Sequence, residues 1–236
     1  MSAARWIGVA DAAALRQAAG QRVLDAAARA LERHGRFVIV LAGGETPRGV
    51  YTLLRSADTD WSRWEIWFGD ERCLQPTDPA RNSRMAADAW LDHVPIPQSR
   101  VHVIPGELGA RAAALAYAQM LGGVGDFDLV LLGLGEDGHT ASLFPGRDRS
   151  AGPSEADAFA VLDAPKPPRQ RVSLSAARLS RSREVLFLVE GDAKREAVSR
   201  WRAGADIPAR AIRPPSGVDV LLEASLLGAA LRARGP

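Results

Sequence analysis

The sequence predicts an α/β fold, a three-layer α/β/α arrangement with a mainly parallel, Rossmann-like sheet, and three observations carry that expectation. Short continuous apolar runs, at 37–41 and 127–132 above all, read as strands buried on both faces. Segments with apolar residues at helical spacing stand between such runs, which is the alternation of a sheet covered by helices. The turns leaving these strands are rich in glycine and charge, at the edge where a parallel sheet presents its ligands.

The elements follow in order. Leu15, Ala19, Val23, Ala27, Ala30 and Leu31 recur near helical spacing between 11 and 33, and His34-Gly35 supplies a stop. Strand 37–41 opens onto Gly43-Gly44, and Pro47 suits the first turn of a following helix. The alternation continues through strand 64–68, helix 82–91, strand 101–104, an alanine-rich helix at 111–121 and strand 127–132. After Gly133, the residues Pro145, Gly146, Gly152 and Pro153 predict a long loop. Strands at 159–162, 171–174 and 185–189, a helix at 192–201 and a last strand at 218–222 complete the chain. No internal repeat and no linker divides it, so residues 1–236 are read as one domain.

Composition narrows the functional classes. With 236 residues, 47% of them hydrophobic and 25% charged, the chain can bury a substantial core. A net charge of +2 is far from the concentrated positive excess of an electrostatic nucleic-acid binder. The apolar runs are too short to span a bilayer, and Asp11 and Arg16 interrupt the alanine-rich start where a secretory leader would need an apolar stretch. Cys73 is the single cysteine, which excludes an internal disulfide. A cytoplasmic protein with no membrane or nucleic-acid partner is expected. Only two of the 30 basic residues are lysines, Lys166 and Lys194, which marks both as candidates for places that need a compact ammonium.

Three polar clusters sit where strands end. Gly43-Gly44-Glu45-Thr46-Pro47 lies between a strand and a helix, where glycines let the backbone approach an anion and the first helical N–H groups point at it. A tight structural turn would use the same residues. Asp70-Glu71-Arg72 closes an aromatic strand with three charges. Gly133-Leu134-Gly135-Glu136-Asp137-Gly138 has the spacing of a dinucleotide fingerprint, with Asp163 at a fitting distance for a ribose contact. That fold needs a full helix after the third glycine, and Pro145-Gly146 leave room for only about two turns. His139, directly after this turn, is the more promising group. An imidazole takes up and returns a proton near neutral pH, and Asp137, two residues earlier, can fix its tautomer. His34, His93 and His102 stand at helix ends and in a predicted strand and read as structural. No pair of histidines has metal-ligand spacing, so neither a metal nor a cofactor is expected.

Together these clusters resemble the 6-phosphogluconolactonase family. The resemblance rests on Leu41-Ala-Gly-Gly-Glu-Thr-Pro47, Phe68-Gly-Asp-Glu-Arg72 and Gly135-Glu-Asp-Gly-His-Thr-Ala-Ser-Leu-Phe-Pro145. Pro165-Lys-Pro-Pro168 followed by Arg171-Val-Ser-Leu174, and Phe187-Leu-Val-Glu-Gly-Asp-Ala-Lys194, agree with its C-terminal half, so that it covers roughly residues 36–223. Two positions depart from the family: Glu45, where Ser or Thr is common, and Arg81 before Asn82, where Ser is usual.

The resemblance implies an α/β/α fold and hydrolysis of a phosphorylated sugar lactone, with relatives that deaminate glucosamine 6-phosphate or sense sugar phosphates. Arg72 and the Thr140-to-Pro145 segment differ from the pattern of the deaminases. On this reading His139 is the acid–base group, Asp137 orients it, Asp70 helps position substrate or water, and Arg72 or backbone N–H groups near Gly138 stabilise the alkoxide. Lys194, Arg171 and the backbone at Gly43, Gly44 and Thr46 are expected to hold the phosphate. Ser142 is the covalent alternative to a water nucleophile.

Overall fold

A computed structural model describes residues 4–146 and 156–228 of the chain. Its centre is a six-stranded sheet in the order β1 (Arg5–Val9), β9 (Val218–Glu223), β8 (Ser182–Val189), β5 (Phe127–Gly133), β2 (Phe37–Leu41) and β3 (Trp64–Phe68). Every neighbouring pair runs parallel. Helices flank it. All five residues of β2 are buried, as a strand covered on both faces requires. Helix α1 (Ala12–His34) starts where Asp11 accepts the Ala14 N–H at 2.8 Å and stops at Gly35, whose φ of 76° suits glycine. Its apolar stripe, Leu15, Ala19, Val23 and Ala27, is buried. Helix α6 (Arg195–Arg202) sets Trp201 edge-on against Phe187 of β8 and Trp6 of β1, with ring centroids 4.7 and 5.4 Å apart.

A second, antiparallel sheet hangs on the carboxyl edge of the first. Strand β4 (Asp70–Arg72), β7 (Arg171–Leu174) and β6 (Ala158–Val161) form it in the order β4-β7-β6. The expectation that 70–72 simply prolong β3 is corrected here. Gly69 donates to Leu41 O at 3.0 Å and accepts from Leu174 N at 2.8 Å, so the chain leaves one sheet and enters the other at this glycine. Helix α4 (Ala110–Met120) is tied in through Tyr117, whose hydroxyl bonds the Phe68 backbone.

Other expectations need correction as well. The strand at 101–104 is reduced to one bridge, Ile66 to Val101, because a 3₁₀ turn precedes it and Pro105 follows. Strand β1, with Gly8 as its fourth residue, and the one-turn helix α5 (Ala176–Ser180) carried no periodic signal. Residues 152 and 153 of the expected loop lie outside the described residues.

Candidate active site

Three adjacent strands, β8, β5 and β2, end at one cleft of about 450 Å³. Gly43 to Thr46, Asp70, Arg72, His139, Arg171 and Lys194 all line it, so the three clusters of the sequence and the two expected phosphate ligands meet in one place. Both lysines of the chain, Lys166 and Lys194, line it too.

The turn after β5 aims the histidine. Gly138, at φ 89°, packs so tightly on Ile207 that a Cβ there would lie 2.8 Å from that side chain. A Cβ on Gly135 would sit 2.0 Å from His139 Nδ1, so this glycine is required for the ring to lie where it does. No helix follows Gly138, which removes the dinucleotide reading. His139 Nδ1 lies 2.5 Å from Asp137 Oδ1, and the same oxygen accepts the His139 backbone N–H at 3.0 Å. Burial pushes the Asp137 carboxyl up, but the N–H groups and charge of His139 outweigh this and hold it below the usual carboxylate range. A carboxylate can only accept, so Nδ1 carries a proton, and in the neutral form of the ring Nε2 presents its lone pair. Nε2 has no hydrogen-bond partner among the described residues. The ring packs on Phe144, centroids 4.9 Å apart.

The turn after β2 leads into α2 (Glu45–Leu54), whose N-terminus has no side-chain cap. Gly44 has φ 109°, open only to glycine at low cost. Glu45 lines the mouth of the cleft, where its side chain is 84% exposed and its carboxylate is paired with Arg48 at 3.1 Å. Arg81 is a structural residue: it is buried between Glu71 at 3.3 Å and Glu107 at 2.8 Å. Glu71 itself caps α3 (Asn82–Ala89), accepting from the N–H groups of Asn82 and Ser83 at 2.7 and 2.8 Å.

Cross-strand pairing brings charges together on the face of the second sheet that looks into the cleft. Arg72 is directly opposite Arg171, and Asp70 opposite Ser173. Arg171 donates from Nε to Pro168 O and from Nη2 to Lys166 O, both at 3.0 Å. Burial lowers its affinity for the proton, Asp70 opposes this and Arg72 reinforces it. Arg72 donates to Ala80 O, and its buried Nε has no hydrogen-bond partner among the described residues. Both arginines therefore bond neutral carbonyls, and neither has an ion-pair partner among the described residues.

The acids lining the cleft are engaged. Glu190 pairs with Arg16 at 2.5 Å, Glu136 approaches Lys166 at 3.8 Å, and Asp70 is held by Asn82 and Ser142. Lys194, half-buried beside Gly191, has no ion-pair partner among the described residues. Ser142 is buried and does not line the cleft, so nothing presents it as a nucleophile. Burial and Glu71 push the Cys73 thiol up to about 11, leaving it mostly protonated at neutral pH. His34 meets Asp128 at 2.9 Å, His93 meets Asp88 O at 2.9 Å and His102 meets Glu65 at 3.2 Å, none of them lining the cleft.

The family model for glucosamine-6-phosphate isomerases/6-phosphogluconolactonase matches residues 10–221. This chain belongs to that family. A 6-phosphogluconolactonase from Mycobacterium leprae is 39% identical over 202 residues, covering 80% of this chain and 81% of the relative. One from Streptomyces coelicolor is 36% identical over 213 residues, covering 83% and 81%. The crystal structure of the Thermotoga maritima 6-phosphogluconolactonase superposes with a TM-score of 0.86 at 25% identity, over 93% of this chain and 99% of that one. The α/β class and the mainly parallel sheet expected from the sequence are thus those of the family's lactonases. Asn82, Glu136 and Glu190 are cleft residues that the sequence reasoning missed. Only Asn82 carried a signal, an amide at a predicted helix start directly after Arg81.

Proposed function

We propose that this chain is a 6-phosphogluconolactonase that hydrolyses 6-phospho-D-glucono-1,5-lactone to 6-phosphogluconate, in the oxidative pentose phosphate pathway, by water attack assisted by His139. One observation carries the mechanism: His139, held through Nδ1 by Asp137 at 2.5 Å, lines the same cleft as Arg72, Arg171 and Lys194, and its Nε2 has no hydrogen-bond partner among the described residues.

In the first step Nε2 takes a proton from water as the water oxygen bonds to the lactone carbonyl carbon. The carbonyl π pair moves onto its oxygen, where Arg72 or backbone N–H groups near Gly138 stabilise the alkoxide. That pair then re-forms the carbonyl, the bond from the carbonyl carbon to the ring oxygen breaks, and the imidazolium returns its proton to the departing oxygen. Asp137 keeps the tautomer and stabilises the imidazolium; Asp70 enters only through its hydrogen bonds. The phosphate is assigned to Lys194, Arg171 and the N–H groups between Gly43 and Thr46. That end of the cleft has a helix start without a side-chain cap and a lysine with no ion-pair partner among the described residues, and both favour a dianion. No helix among the described residues is long and apolar enough to cross a membrane. A cytoplasmic site of action without a nucleic-acid partner is part of the proposal, supported by the small net charge and the lone cysteine.

The test is a lactone-hydrolysis assay beside a glucosamine-6-phosphate deaminase assay and a sugar-phosphate binding titration. Turnover of the lactone alone supports the proposal. Release of ammonia from glucosamine 6-phosphate, or saturable binding without turnover, assigns the chain to the other branches of its family.

A further inference from the structure

The parts of the site assigned to the substrate are linked behind the cleft by a buried polar chain. Asp70, Asn82, Ser142 and Ser173 are each no more than 7% exposed. Ser142 Oγ donates to Asp70 Oδ2 at 2.6 Å, Asn82 Nδ2 donates to Asp70 Oδ1 at 3.0 Å and to Asp70 O at 2.9 Å, and Ser142 N donates to Ser173 Oγ at 3.2 Å. Asn82 in turn lies directly under the anion-binding turn: a Cβ on Gly43 would be 2.0 Å from Asn82 Oδ1. The chain therefore runs from the His139 segment, through β4 and the start of α3, to Gly43.

The His139 segment needs such an anchor. Ala141 is the one non-glycine residue with positive φ among the described residues, at 47°, a conformation that surrounding contacts must impose. It stands between His139 and Ser142, and the neighbouring Thr140 is fixed by its own bond to Gly133 O at 2.8 Å. On the far side of that strained residue the Leu143 N–H closes a turn onto Thr140 O at 2.9 Å, and among the described residues the two Ser142 bonds are what tie this turn to the rest of the site.

We infer that Ser142, through its buried hydrogen bond to Asp70, is a positioning residue that sets the distance between His139 and the anion-binding turn at Gly43. This rests on the lactonase reading with His139 as base. A substrate gripped by its phosphate at one end must present its ester at the other, so the chain converts phosphate binding into alignment of the carbonyl with Nε2. Misplacing a catalytic group by about 1 Å can cost about a hundredfold in rate.

The experiment is a double-mutant cycle of Ser142→Ala and His139→Ala, with kcat and KM on 6-phosphogluconolactone and thermal melts for each protein. Ser142→Ala alone is expected to lower kcat ~10- to 100-fold with KM within about twofold, whereas in the His139→Ala background it changes the residual rate less than about twofold. An equal fractional loss in both backgrounds, or wild-type kcat in a folded Ser142→Ala protein, overturns the inference. A near-native His139→Ala rate is a different outcome, which removes the base and the inference together. If Ser142→Ala does not fold, Asp70→Asn decides: it keeps the shape, and the serine hydroxyl can turn to accept. It should lose less than about tenfold in kcat. A loss as large as that of His139→Ala makes Asp70 a proton-transfer group and refutes a purely positioning chain.

Discussion

Asp137 and His139 are bound to each other twice, through the backbone N–H and through the ring, by a single carboxylate oxygen. The two contacts fix the ring's direction and its tautomer together, and Gly135, by lacking a side chain, leaves the space in which the ring lies. Asp137→Asn can turn its amide nitrogen toward Nδ1 and so favour the wrong tautomer. The expected outcome is a kcat reduced by at least about tenfold with KM little changed. Equal kinetics in the two proteins would show that Asp137 does not orient the base.

Gly135→Ala should be damaging for a steric reason alone. Its methyl would occupy space 2.0 Å from Nδ1, so His139 must swing away from Asp137. A fall in kcat of roughly a hundredfold is predicted, with thermal stability reduced far less than activity. Wild-type kcat in that variant would mean that the ring position described here is not the catalytic one.

Lys194 gives the cleanest test of the phosphate end. A charge-assisted hydrogen bond contributes about 1.5–3 kcal/mol, or ~10- to 100-fold in kcat/KM. Lys194→Ala should show that loss on the phosphorylated lactone and little on unphosphorylated gluconolactone. Arg171→Ala should share the selectivity but also lower the rate on both substrates, because Arg171 ties down the carbonyls of Lys166 and Pro168. Equal losses for Lys194→Ala on the two lactones would take the phosphate away from this lysine.

How much of this was legible in the sequence depends on whether a residue acts locally. The parallel core was readable because β2 and β5 are continuous apolar runs. His139 and Asp137 were readable because the partner lies two residues away. The second sheet was not: Asp70 to Arg72 looks like the end of β3, and only pairing with β7, a hundred residues later, makes it a separate strand. The buried chain through Ser142, Asp70 and Asn82 was hidden for the same reason, since long-range hydrogen bonds leave no spacing to read. Glu45 has its partner, Arg48, one helical turn away, whereas Arg81 is held by Glu71 and Glu107 from other parts of the chain.

Acid stability supplies a prediction away from the cleft. Burial pushes the Asp219 carboxyl up, but Arg5 and Arg22 outweigh it and leave its pKa below the usual carboxylate value. A group depressed in this way stabilises the fold above its unfolded pKa of about 3.9, and the contribution disappears as pH falls through the lower, folded value. Urea midpoints followed from pH 7 to 2 should therefore fall less steeply below pH ~4 for Asp219→Asn than for the wild type, from a lower starting stability. Parallel acid arms would show that the pair of arginines does not hold this carboxylate charged.

The central claim is that His139 moves the proton, and kcat of His139→Ala on the phosphorylated lactone, with spontaneous ring opening subtracted, tests it most directly. General acid–base assistance is typically worth about 10²- to 10⁴-fold. A loss in that range with KM nearly unchanged and a native melting curve is expected; a folded His139→Ala protein that turns over the lactone at close to the wild-type rate would contradict proton transfer by His139.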